Sequence, residues 1–250
     1  MSVNIKNFKN VLKKSTLNFS LDTVQINLYK DRIVSKMTTN TSDAIVMLNV
    51  DNNVISGINE NHEIQLNFVE PNNTLVPYIN LLNDEDEVDI SFHKEKITIK
   101  SQSFKSDVFF CDPSIVSVFN RPENREHKPI FVIDIDDDFI EKFEMIKKIG
   151  ARFGKIYFTV KDNILKMETT DKTILYSNNL SFDLGEFKHK DFSFCFDYRN
   201  VVNTMSSIGS EYGDFKMGII KAPDSDETGM LTFINKDKSE KYYLLSKLDI

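Results

Sequence analysis

The stretch KDRIVSKMTT at residues 30–39 returns as KDNILKMETT at 161–170, with Lys-Asp-x-Ile and Thr-Thr at the same offsets, 131 positions apart. Each copy puts a Lys-Asp turn in front of alternating apolar and polar residues, the pattern of a strand leaving a tight hairpin. The same shift carries Phe8 onto Phe139 and Leu12 onto Phe143, and a shift of 126 carries Leu75, Ile79 and Leu82 onto Val201, Met205 and Ile208. Matching positions in matching order describe an internal repeat. The chain therefore reads as two copies of one unit: a helix, a hairpin, further strands, a second helix and a closing hairpin.

Outward from the repeat, period-two alternation marks strands at 24–28, 64–68, 88–92, 97–99, 156–160, 192–196 and 242–248. Turn-prone residues at Lys30-Asp31, His93–Lys96 and Lys161–Asn163 join several of them into hairpins, which makes the sheets mainly antiparallel. Four stretches carry one apolar stripe each and read as helices lying on a sheet, at about 4–15, 75–83, 139–149 and 198–208. The fold class is α+β. The polar segment NRPENREHKP at 120–129 has the composition of a linker. The expected organisation is an N-terminal domain at 1–118, a connector at 119–129 and a C-terminal domain at 130–250.

Composition narrows the function. In 250 residues, 40% are apolar and 20 are Phe, which is ample for a packed core and argues against disorder. The net charge of −7 argues against a uniformly basic surface. Cys111 and Cys195 cannot build a disulfide framework or a four-thiolate zinc site. No apolar run is long enough to span a bilayer, and MSVNIKNFKN lacks the apolar core of a signal peptide, so the expectation is a soluble cytoplasmic protein without membrane partners.

Enzyme signatures are absent. The run DIDDD at 134–138 lacks the Gly and distal Glu of a calcium loop, and an acidic helix start suits the macrodipole, so capping is the favoured reading over a cation site. GARFGK at 150–155 has the wrong spacing for a phosphate loop and follows a helix. The four His are scattered, and no nucleophile elbow occurs. No catalytic residue, metal or cofactor is expected.

The distribution of Lys and Arg is more informative than their sum. Lys6, Lys9 and Lys13 recur at i, i+3 and i+7 on the first helix, with Lys14 beside them, while the third helix and its exit bring Lys142, Lys147, Lys148 and Arg152. Arg199 opens the fourth helix. Two readings stand: solvated helix faces whose lysines complement helix C-termini, or a surface that attracts a duplex through its phosphates without reading sequence.

Three local patterns carry a resemblance. NLLNDEDEVDI, KITIK and VFFCDPSIV within 80–116, the last holding Phe109, Phe110, Asp112, Pro113 and Ser114, resemble a helix end, hairpin and aromatic strand of the phage DNA sliding clamps. FTVKDNILKM at 158–167 is similar to the hairpin after their third helix, and YYLLSKLD at 242–249 to the Tyr-Tyr-Leu-Ala-Pro-Lys-Ile ending of the proliferating cell nuclear antigen group. The resemblance, closest to the T-even-like phage clamps, extends over essentially the whole chain. It implies the DNA-clamp fold: two similar domains, antiparallel sheets outside, two helices per domain lining an inner face.

It further implies a homotrimeric ring that encircles double-stranded DNA without sequence specificity, tethers a DNA polymerase as its processivity factor, and is loaded by a separate clamp-loader ATPase. The basic residues named above would face DNA. Subunit contacts would pair a strand near Val108, Phe109 and Phe110 with one near Ile174, Leu175, Tyr176 and Ser177 of the neighbour. A partner-peptide pocket would use Ala44, Ile45, Phe119, Leu245 and Ser246; Leu-Ser replaces the usual Ala-Pro there, and for Phe119 and Leu245 ordinary core packing is the competing reading. The alternative for the whole chain is a β-rich phage or viral structural protein built from a duplicated domain.

Overall fold

A computed structural model describes residues 2–58, 63–82, 88–102, 104–120, 128–172, 174, 177–221 and 228–247. The chain divides into two compact units, Met1–Arg121 and Pro122–Ile250. Most of the expected linker, the acidic run at 83–87, His62 and His127 lie outside the described residues.

Unit 1 begins with β1 (Ser2–Val3) and α1 (Ile5–Ser15), followed by β2 (Thr23–Leu28), β3 (Arg32–Thr38), β4 (Ala44–Asp51), β5 (Ile55–Ser56) and β6 (Ile64–Val69). Two short helices, α2 (Pro71–Thr74) and α3 (Val76–Asn80), precede β7 (Asp89–Phe92), β8 (Lys96–Lys100) and β9 (Lys105–Phe109). Its strands pair antiparallel in the orders β4-β3-β2-β6 and β5-β1-β7-β8-β9. The helix α1 starts where the Asn4 side chain accepts from the Asn7 N–H at 3.0 Å, a cap worth about 0.5–2 kcal/mol. It lays Ile5, Phe8 and Leu12, all buried, on the face of β2, β3 and β4.

Unit 2 holds β10 (Phe131–Asp134), α4 (Asp137–Gly150), β11 (Lys155–Lys161), β12 (Ile164–Thr169), β13 (Leu180–Glu186), β14 (Phe192–Asp197), α5 (Tyr198–Ile208), β15 (Phe215–Lys221), β16 (Gly229–Asn235) and β17 (Glu240–Leu245). The orders β13-β12-β11-β14 and β10-β15-β16-β17 repeat the plan of unit 1 strand for strand, apart from the short β5. The hairpin of the repeat is tighter here than in unit 1, where residues 29–31 link β2 and β3. Asp162 and Asn163 both take positive φ, 53° and 61°, as a primed two-residue turn requires. The helix α4 packs on β12 and β13, and α5 on β11, β14 and β17.

The acidic run proves to be a cap. Asp136 accepts from the Phe139 N–H at 2.8 Å, and Asp137 and Asp138 fill the first turn of α4. GARFGK is the turn from α4 into β11, with Gly154 at φ +69°.

One helix departs from expectation. Instead of a continuous helix at 75–83, unit 1 has α2 and α3, broken at Leu75 (φ −116°). Pro77 lacks the N–H that would reach the Asn73 carbonyl, so a continuous helix cannot pass this point. The apolar positions still serve as anchors: Leu75, Ile79 and Leu82 are buried, whereas Tyr78 and Leu81 are exposed.

Candidate nucleic-acid interface

At about 100° per residue, Lys6, Lys9 and Lys13 fall within a 60° arc of α1, on the side away from Phe8 and Leu12. Lys6 is exposed, Lys9 and Lys13 half-buried. Lys6 and Lys13 have no side-chain partner among the described residues, whereas the Lys9 ammonium donates to the Leu82 carbonyl at 2.8 Å and ties α1 to the end of α3. Lys14 corrects the sequence reading. It is only 5% exposed, because it lies on the helix flank next to buried Val11, so its charge is not presented to a ligand. No acidic residue occurs in α1.

The basic residues of unit 2 sit among acids. Lys142 pairs with Asp138 at 2.6 Å and also donates to the Asp183 carbonyl at 2.9 Å; Lys147 pairs with Glu144 at 3.0 Å. Lys148, Arg152 and Arg199 are exposed and have no side-chain partner among the described residues. Tyr198 fastens the two helices at this end. Its phenol donates to the Lys147 carbonyl at 2.6 Å and its N–H to the Gly154 carbonyl at 3.0 Å. The ring lies so close to Gly150 that a methyl there would sit 2.8 Å from Tyr198 Cδ2. At the other end the Tyr212 phenol donates to Asp137. Burial pushes the Tyr198 phenol above its ordinary pKa, and the bond to Asp137 does the same for Tyr212.

The sheet edges named by the sequence fall on β9 in unit 1 and β13 in unit 2, each at the end of its strand order. On β9, Val108 is buried and Phe109 is 66% exposed, with the Lys96 ammonium 5.6 Å from its ring centre. Phe110 turns inward and meets Phe68 edge-on at 5.5 Å. The second expected interface strand starts later in the chain than the sequence indicates. Ile174 and Ser177 lie outside any strand, the Ser177 N–H donating to the Ile174 carbonyl at 3.2 Å, and β13 begins at Leu180. Ile174 is 58% exposed; Leu175 and Tyr176 lie outside the described residues. Nearby, Lys172 spans the Tyr157 ring at 3.9 Å and pairs with Glu168 at 3.1 Å.

The expected pocket residues divide between the units. In unit 1, Ala44 and Ile45 are buried at the start of β4. Residues 117–119 run beside the end of β3: the Thr38 N–H donates to the Ser117 carbonyl at 3.1 Å, and the Phe119 N–H to the Lys36 carbonyl at 2.9 Å. Phe119 is half-buried. In unit 2, Leu245 ends β17 at 41% exposure, and Ser246 accepts from the Gly229 N–H at 2.7 Å. Among the described residues no group of three or more His, Cys, Asp or Glu is placed to hold a metal, and both thiols are free. No helix among them is long and apolar enough to cross a membrane.

No protein-family model matches the chain, and no curated protein sequence does. Solved structures do. The A. fulgidus proliferating cell nuclear antigen bound to the C-terminal region of FEN-1 superposes with a TM-score of 0.62 at 14% identity, covering 95% of each chain. The Entamoeba histolytica proliferating cellular nuclear antigen gives 0.66 at 14% identity, covering 96% of this chain and 94% of that one. The DNA polymerase sliding clamp of Pseudomonas aeruginosa gives 0.66 at 13% identity, covering 99% of this chain and 65% of the longer bacterial one.

The chain has the DNA sliding-clamp fold.

Sequence reasoning found the clamp fold's helices and their lysines but missed what fixes those lysines. The Tyr198 phenol, the absent side chain of Gly150 and the Leu82 carbonyl are contacts between positions distant in sequence. Only a small residue three positions after Lys147, facing an aromatic at the head of the next helix, offered a signal.

Proposed function

We propose that this chain is a sliding clamp in activity as well as in fold: a processivity factor that closes around duplex DNA and tethers a replicative polymerase. The observation that carries the proposal is the likeness to clamp structures across both units, together with α1, a helix with Lys6 exposed, Lys9 and Lys13 half-buried, and no acids. A sliding factor must resist dissociation yet move freely. Topology does the holding, and a modest sequence-blind charge only centres the duplex.

The ring in this proposal is a homotrimer. The β9 edge of one subunit adds to the β13 edge of the next, burying Phe109 and Ile174, whose exposure on a lone subunit is otherwise unexplained. Pairing edges in this way removes the free strand edge that invites aggregation. A clamp-loader ATPase opens the ring. Partner proteins dock on the clamp, as the C-terminal region of FEN-1 is bound to the archaeal one.

The test is primer extension on a primed circular template with the cognate polymerase and loader. Products lengthen when the protein is added. Unchanged product length with an active loader contradicts the proposal and leaves the duplicated fold with a structural role.

A further inference from the structure

The two ends of the unit 2 helix pair carry opposite charge, and the contacts fix which residues share an end. Tyr198 is enclosed by residues 147–154 through three contacts: its phenol on the Lys147 carbonyl, its ring against Gly150 and its N–H on the Gly154 carbonyl. The C-terminus of α4 and the N-terminus of α5 are therefore fastened together. Lys148, Arg152 and Arg199 all belong to this end. They are exposed, and no acid answers any of them among the described residues. The far end is joined by Tyr212 to Asp137 and gathers Asp136, Asp137 and Glu141, none with a cationic partner among the described residues. Between the ends, Lys142 and Lys147 are already taken by Asp138 and Glu144.

We infer that unit 2 grips the phosphodiester backbone of duplex DNA at one end only, through Lys148, Arg152 and Arg199 held together by the Tyr198–Gly150 contact. The acidic end of the same helix pair keeps phosphate away, so contact in this unit is one-ended, whereas α1 in unit 1 offers Lys6 and Lys13 at either end of one uninterrupted face. This inference rests on the sliding-clamp proposal. It adds which basic residues bind and which do not: Lys142 and Lys147 contribute little because their charge is locally neutralised.

The test is a titration of a fluorescein-labelled duplex of about 30 base pairs, followed by anisotropy over about 25–150 mM potassium chloride, conditions in which each phosphate contact adds about 0.9 to the slope of log affinity against log salt. The full-length protein is compared with K148Q/R152Q/R199Q, D138N/E141Q and K6Q/K13Q. All of these side chains are exposed or half-buried, and circular dichroism checks that each variant folds. The expected result for K148Q/R152Q/R199Q is a slope shallower by about 2–3 and an affinity lower by about tenfold or more at the lowest salt. D138N/E141Q, which removes two acids and releases Lys142 from Asp138, is expected to bind more tightly than the parent with a slope no shallower. An unchanged slope in K148Q/R152Q/R199Q beside a reduced one in K6Q/K13Q overturns the one-ended grip while leaving the clamp proposal standing. Weaker binding by D138N/E141Q overturns it as well. Absence of any salt-dependent binding by the parent protein removes both.

Discussion

The two units share a strand plan, but their helix layers are built differently. Unit 2 has helices of 14 and 11 residues, fastened at one end by Tyr198 and at the other by Tyr212. Unit 1 has an 11-residue α1 beside a second helix broken into pieces of 4 and 5 residues, and Lys9 reaches across to the Leu82 carbonyl. The charges differ as well: α1 has four lysines and no acids, whereas α4 balances its bases with Asp137, Asp138, Glu141 and Glu144. Strand register, set by backbone ladders and alternating burial, survives large sequence divergence. A helix laid on a sheet needs only its apolar stripe, so its ends and exposed face are free to diverge.

Substitutions that attack the fastenings one at a time test this contrast. Gly150→Ala has the largest expected effect. The new methyl would meet the Tyr198 ring at 2.8 Å with Thr169 Oγ1 close behind, and overpacking of this kind costs about 1–3 kcal/mol. Urea unfolding reads the loss, and an unchanged midpoint shows that the tyrosine contact has slack.

Alkali comes next. Tyr198, Tyr212 and Tyr242 of unit 2 all have raised pKa values, Tyr242 well above the ordinary value through burial and then the charge of Glu240. A phenol whose folded pKa exceeds its unfolded one contributes stability that is full below the unfolded pKa and is lost as pH rises through the folded one. With an unfolded pKa near 10, the stability held by neutral Tyr242 declines as pH rises above about 10. Unfolding at mild and high pH measures it, and Tyr242→Phe flattens the dependence. Equal slopes for parent and variant contradict the assignment.

Tyr198→Phe deletes one hydrogen bond and keeps the ring, for about 1 kcal/mol. Lys9→Met in unit 1 is the smallest, about 0.5–1 kcal/mol, because the lost bond is only part-buried and water partly replaces it. Thermal melts rank the two, and a larger loss from Lys9→Met reverses the picture of unit 2 as the more firmly fastened helix layer.

Much of the architecture was legible because it is written locally. The hairpin at Asp162-Asn163, the capping Asp136 and the apolar stripes of α1, α4 and α5 each depend on neighbours within a few residues. The repeat then assembled those pieces. Features that depend on the third dimension were hidden. Lys14 looked like a member of the basic stripe until its helix flank was seen to be covered. Ile-Leu-Tyr at 174–176 reads as strand, yet Ile174 lies outside any strand and β13 runs only from Leu180. Pro77 was visible in the sequence, but the apolar spacing of Leu75, Ile79 and Leu82 satisfied a helix reading with or without the break. At the candidate interface, residue type gave the lysines, and only the contacts showed which of them were already neutralised.

The central claim is that the molecule holds DNA by encircling it, and retention on circular against linear DNA tests that most directly. Labelled protein is loaded onto nicked circular plasmid by the cognate loader, separated from free protein by gel filtration, and the plasmid is then cut once with a restriction enzyme. The account predicts that protein stays with the circle and is released when the plasmid is linearised. Equal retention before and after cutting, or no retention on the circle with an active loader, contradicts it.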